Sequence, residues 1–165
     1  MSVRTAWKFE DALPCLRRFA SAVVCGGVDP VISDKLARTA IKSVLAQKFP
    51  VSNAEQLRIV LYQTMLKQCL ELELGAQDTG SVAFLPPSTV ARGLYRLAQD
   101  ERTALVLTVV EGFSHADAAD VLQLPLWVFL ARLTRARENL QADLSRQRSS
   151  TVAVKFHGSH LRIVK

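Results

Sequence analysis

Residues 111–140, EGFSHADAADVLQLPLWVFLARLTRARENL, constrain the fold of this chain more than any other stretch, because their spacing describes two short helices joined by a tight turn. Gly112 supplies a left-handed residue to end the preceding helix, and Ser114 with Asp117 three positions on forms a capping box for the next. Ala116, Ala118 and Ala119 keep that helix thin. Residues 122–125, Leu-Gln-Leu-Pro, make the turn, with Pro125 in the first turn of a longer helix, where its missing N–H is tolerated. The result is a helix-turn-helix. In a module that reads DNA, the second of these helices enters the major groove.

The leading face of that second helix is unusual for such a task. Leu126, Phe129, Leu133, Ala136 and Leu140 recur at helical spacing and are expected to face the core, which turns Trp127, Val128, Ala131 and Arg135 outward. Base edges are read by hydrogen bonds, and an indole beside a valine offers almost none. Trp127 and Val128 therefore either pack on another part of this chain or form a patch for a partner.

The chain has 165 residues, 49% of them hydrophobic, enough for a folded aliphatic core in one or two small domains. No apolar run reaches the ~18 residues of a membrane span, and MSVRTAWKFEDALP lacks the apolar stretch of a signal peptide, so a cytoplasmic location is expected. Cys15, Cys25 and Cys69 sit in apolar segments at no metal-ligand spacing and read as buried free thiols. The net charge of +6 is concentrated: five of the positive charges lie in residues 146–165, which contain no acid. Residues 1–145 are close to neutral, so the globular part has no strong general attraction for phosphates.

Five further helices are expected upstream. Asp11 is a cap candidate for a first helix with Leu16, Phe19, Ala20 and Val23 on one face and Arg17 and Arg18 on its solvated side. After the breakers of residues 25–30, a second helix carries Ile32, Leu36, Ala40, Ile41, Val44 and Leu45 at helical spacing. Ser52 and Glu55 match a capping box for a third, reaching about Glu73, which is apolar nearly all round. Such a helix is the centre of a core or is shared between two neighbours. Residues 74–90, with two glycines and two adjacent prolines, read as a linker in which Phe84 and Leu85 dock on a domain. Ser88 caps a short helix, and another runs from about Gln99 to Glu111 with Ala104, Leu105, Leu107 and Val110 as core residues. The expected organisation is all-α: a three-helix domain at 8–73, a linker at 74–90, a helix-turn-helix domain at 91–145 and a basic tail at 146–165. The tail alternates around His157-Gly158-Ser159-His160, the pattern of a small hairpin or of a flexible, solvated tail, and two histidines are too few for a metal site.

Residues 94–140 closely resemble the C-terminal domain of bacterial sigma factors of the extracytoplasmic-function type, on Leu97, Arg102, the turn at 111–114, Ala118, Ala119, Leu122, Pro125 and the run Arg132, Leu133, Arg135, Ala136, Arg137. The stretches LPCLRRFASAV and DKLARTAIKSVL resemble the polymerase-binding domain of that family more loosely. The resemblance implies two helical domains whose helix-turn-helix binds the −35 promoter element. The departures fall at the contact positions. Trp127, Val128, Leu130 and Ala131 replace the family's small and polar residues at the start of the recognition helix, and Lys35, Arg38 and Thr39 replace its acidic and glutamine positions, leaving Asp34. The third helix lacks the family's tryptophan and basic end and finishes with Glu71 and Glu73. A kept scaffold with lost contacts is similar to the sigma-like domains of alphaproteobacterial general-stress regulators, which imitate a sigma factor to capture its anti-sigma protein. Those normally carry a receiver domain, for which the residues after Leu144 are too few.

Two functions follow from the resemblance. One is a sigma mimic that holds an anti-sigma factor or similar helical protein, with Trp127, Val128, Leu130 and Ala131 as anchors. The other is a divergent sigma factor that binds core RNA polymerase and promoter DNA, with Arg132, Arg135 and Arg137 on phosphates. An enzyme is not expected, nor a cofactor, metal, membrane or small-molecule substrate: no nucleophile–base arrangement, P-loop or metal quartet is visible, and His115 reads as a surface residue of a first turn.

Overall fold

Small residues decide how the N-terminal helices pack. The computed structural model describes residues 11–24, 29–46, 53–76 and 88–157, and every described element is a helix. Helix α1 (Ala12–Val23) buries Leu16, Phe19, Ala20 and Val23 as the spacing predicts, although the Asp11 side chain makes no capping hydrogen bond. Helix α2 (Pro30–Ala46) buries Ser33, Ala37, Ala40 and Val44 and leaves Ile32 and Leu45 exposed. The expected phase is corrected by side-chain size: serine and alanine let α2 lie close to its neighbours, whereas the bulkier Ile32 and Leu45 fall outside the contact. Helix α3 (Ala54–Ala76) starts one residue later than the capping box implied, with the Asn53 carboxamide accepting from the Gln56 N–H at 2.8 Å; Ser52 lies outside the described residues. It buries Leu61, Tyr62, Met65 and Cys69 and packs against both α1 and α2, as the centre of a three-helix core.

Helix α4 (Thr89–Arg96) is capped by Ser88, whose hydroxyl accepts from the Ala91 N–H at 3.0 Å. Helix α5 (Gln99–Leu105) passes directly into a π-helical stretch (Val106–Val110), where the Glu111 N–H reaches back five residues to the Val106 carbonyl. The wider turn sends Val109 and Val110 outward and Glu111 inward, so Val110 is not the core residue expected. Gly112, at φ +69°, then reverses the chain.

Helix α6 (His115–Val121) begins at Ser114, whose hydroxyl accepts from the Asp117 N–H at 3.1 Å and donates to the Asp117 carboxylate. The turn to α7 (Leu126–His157) is a Schellman motif, with the Gln123 N–H on the Asp120 carbonyl and the Leu124 N–H on that of Ala119. Gln123 occupies its left-handed position at φ 53°, where a glycine is usual. Gln123→Gly is expected to raise stability by about 0.5–1 kcal/mol, measured as an increased urea midpoint with unchanged slope.

Along α7, Phe129, Leu133 and Ala136 are buried, but Leu126 is exposed: it opens the helix, and its side chain leans toward the N-terminal end, past the packed core. The hairpin expected in the tail is corrected as far as residue 157. From 126 to 157 the chain holds no proline or glycine, so nothing ends α7 before Gly158. The Gly158–Lys165 part of that expectation lies outside the described residues, as do Cys25, Phe84 and Leu85.

Candidate functional site

Two features stand apart from ordinary core packing: a buried carboxylate joining the N-terminal helices to the C-terminal ones, and an apolar edge at the start of α7. The carboxylate is Glu111. Its side chain has no solvent exposure, and it lies between the π-helical stretch and Gly112. Arg18 of α1 grips it bidentately, Nε to Oε1 and Nη2 to Oε2, both at 2.9 Å. The Tyr62 hydroxyl of α3 donates to Oε2 at 2.6 Å. Arg58, one turn before Tyr62, donates to the Glu111 backbone carbonyl, and its guanidinium lies 3.8 Å from the Phe113 ring centroid.

The aromatic rings continue the same joint. Tyr62 meets Phe19 edge-on at 5.1 Å and Phe113 at 4.8 Å, so one tyrosine bridges α1, α3 and the turn before α6. Around it, C-terminal side chains satisfy the end of α1: the Tyr95 hydroxyl donates to the Ser21 carbonyl at 2.7 Å and buried Arg102 to that of Val23 at 2.8 Å. On the far side, the Gln63 carboxamide donates to the Asp120 carbonyl at 2.9 Å, tying α3 to α6.

Burial and the negative charge of Glu111 hold the Tyr62 phenol far above its usual pKa of 10.0. The folded state therefore keeps this proton while the unfolded chain releases it above about pH 10. The sign is that stability is fully present below pH 10 and falls as pH rises beyond it. Thermal melts between pH 8 and 11 are expected to drop more steeply for the wild type than for Tyr62→Phe.

Sequence reasoning missed this joint. It placed Arg18 on a solvated face and treated Glu111 as part of a turn, although an acid inside the apolar run from Ala104 to Phe113 needs a cation. Tyr62 carried a second signal, because a phenol on the inner face of an apolar helix needs an acceptor. Arg17 also leaves the solvated class: it pairs with Asp34 of α2, which Arg38 holds at 2.6 Å from the other side.

The apolar edge at the start of α7 differs in part from the expected one, since Val128 turns inward and Leu126 outward. Trp127 is 74% exposed, with Leu130 and Ala131 beside it and Leu126 adding to the strip, while Val128 is half-buried. The three arginines further along differ from one another. Arg132 is half-buried and 3.5 Å from Asp100 of α5, whereas Arg135 and Arg137 are exposed. His115 lies at the surface, its ring 6.3 Å from that of Phe129. Among the described residues no group of three or more side chains is placed to hold a metal, and no helix is long and apolar enough to cross a membrane.

Among the described residues every element is a helix, and a three-helix core joined to a capped helix-turn-helix, with an apolar edge opening its second helix, is a sigma-like arrangement. Residues 94–142 match the family model described as the sigma-like domain of the response regulator PhyR. The fold is similar to the sigma factor RpoE of Bartonella quintana, solved with the anti-sigma factor NepR (TM-score 0.63, 23% identity, 81% of this chain and 92% of that one). It is equally similar to the sigma-like part of PhyR from Sphingomonas sp. Fr1, solved in its complex with NepR (TM-score 0.63, 25% identity, 82% and 85%). In sequence, 57 residues are 40% identical to the RNA polymerase sigma-H factor of Pseudomonas aeruginosa, covering 34% of this chain and 30% of that protein. The chain thus spans under a third of the curated relative it matches.

Proposed function

We propose that this chain is a non-enzymatic transcription regulator that acts as a sigma mimic, holding an anti-sigma factor of the NepR kind in a bacterial stress response. The observation that carries this is Trp127, three-quarters exposed at the head of the helix where a DNA reader needs hydrogen-bonding side chains. An indole flanked by Leu126, Leu130 and Ala131 suits a protein groove, with the indole as the dominant anchor. That two neighbours of the same fold were solved with NepR supports the class of partner. The division into domains at 8–73 and 91–145, joined by a linker, belongs to the same proposal.

The match to a sigma-H factor and the exposed Arg135 and Arg137 favour a second function, a divergent sigma factor for core RNA polymerase and promoter DNA. One comparison separates the two. Proteins co-purifying with the chain from its native cell are identified, purified and bound again, and promoter transcription is assayed with reconstituted core polymerase. A small helical anti-sigma protein that rebinds, with no transcription, is the expected outcome. Promoter-dependent transcripts without such a partner would overturn the mimic.

A further inference from the structure

Interfaces between helical units within one chain are commonly small and polar, and relative motion of the units is their default. The joint in this chain combines aromatic packing of Tyr62 on Phe19 and Phe113 with a polar part concentrated on one side chain. A single carboxylate with no solvent exposure receives three hydrogen bonds, all from the N-terminal helices: two from Arg18 on α1 and one from Tyr62 on α3. The bond from Arg58 to the Glu111 carbonyl comes from the same side. Among the described residues, the charged and phenolic groups bonded to Glu111 belong to α1 or α3, while Glu111 itself belongs to the C-terminal helices and is aimed across by the π-helical turn.

Closing the joint around a carboxylate is favourable only while all of these donors are present, because a buried charge that loses its partners is better hydrated. Other bonds across the joint, from Tyr95 and Arg102 to α1 carbonyls and from Gln63 to Asp120, involve backbone acceptors that water can replace. We propose that Glu111 is the latch that makes the N-terminal and C-terminal helices one rigid body, and that loss of this carboxylate's contacts lets the two groups separate. The consequence for binding rests on the protein-binding function above. A partner touching both groups meets a surface already assembled and spends no free energy on bringing its parts together.

The test uses the full chain. Small-angle X-ray scattering gives the radius of gyration, and far-UV circular dichroism reports helix content, for wild type, Glu111→Gln, Arg18→Met and Arg18→Lys. Glu111→Gln and Arg18→Met are expected to increase the radius by roughly 2 Å or more with helix content retained, and Arg18→Lys, which keeps the charge, to fall between them and wild type. Unchanged radii in both with full helix content would overturn the latch. Should Glu111→Gln lose helix content, Arg18→Met decides in the same way, since Arg18 is half-exposed and its replacement leaves the α1 core face intact. Affinity for the purified anti-sigma partner is expected to fall about tenfold in Glu111→Gln. A larger radius with unchanged affinity would leave the latch standing and overturn the preassembled surface.

Discussion

Arg18→Met is expected to cost about 3 kcal/mol of stability, roughly twice the cost of Glu111→Gln, although both break the same ion pair. The asymmetry comes from burial. Arg18 is 53% exposed and rehydrates when Glu111 is neutralised, and a neutral glutamine side chain costs less to leave without partners than a carboxylate does. Glu111 has no exposure, so removing Arg18 leaves a buried carboxylate whose ion-pair partner is gone and which keeps the hydrogen bond from Tyr62. Urea unfolding of both variants measures the difference. If the joint opens before the helices unfold, the penalty is capped at the free energy that keeps it closed, because the parted carboxylate recovers water. The Arg18→Met transition would then broaden, with a lower denaturant slope than wild type. Equal losses for the two variants would mean that both open the joint, each limited to the free energy that keeps it closed.

The helix-turn-helix was legible because its determinants are local. The Ser114–Asp117 capping box, Gly112 and the buried series Phe129, Leu133, Ala136 each follow from neighbours within a turn or two. The α1 face was legible for the same reason. What local pattern does not encode is which of several apolar residues a neighbouring helix selects. α2 offers Ile32, Leu36 and Leu45 as readily as Ala37 and Ala40, and only the proximity of α1 and α3 favours the small ones. Across the 93 positions separating Arg18 from Glu111, no periodicity links the partners. The isolated acid in an apolar run was the one visible trace of that pair. The tail shows the converse: alternation of valine and polar residues suggested strands, yet an unbroken helix entering from residue 126 continues because nothing stops it.

Trp127→Ala is expected to weaken capture of the proposed anti-sigma partner by about 2 kcal/mol or more, roughly thirtyfold, while changing the stability of the free protein by less than about 0.5 kcal/mol. The separation of the two effects follows from exposure. A side chain that is 74% exposed contributes little to its own fold, so whatever it contributes to binding is visible without a folding correction. Val128 is a control of the opposite kind: being half-buried, Val128→Ala is expected to lower stability and affinity together. A DNA-binding function predicts another pattern at the same helix. There Trp127→Ala would change little, whereas removing Arg135 and Arg137 would weaken binding across all sequences and reduce its salt dependence by about one unit of slope per arginine. Isothermal titration with the partner and salt-dependent titration with promoter duplex, run on the same variants, assign the edge to protein or to DNA. Partner affinity unchanged in Trp127→Ala, with the fold intact, would remove the α7 edge from the binding site.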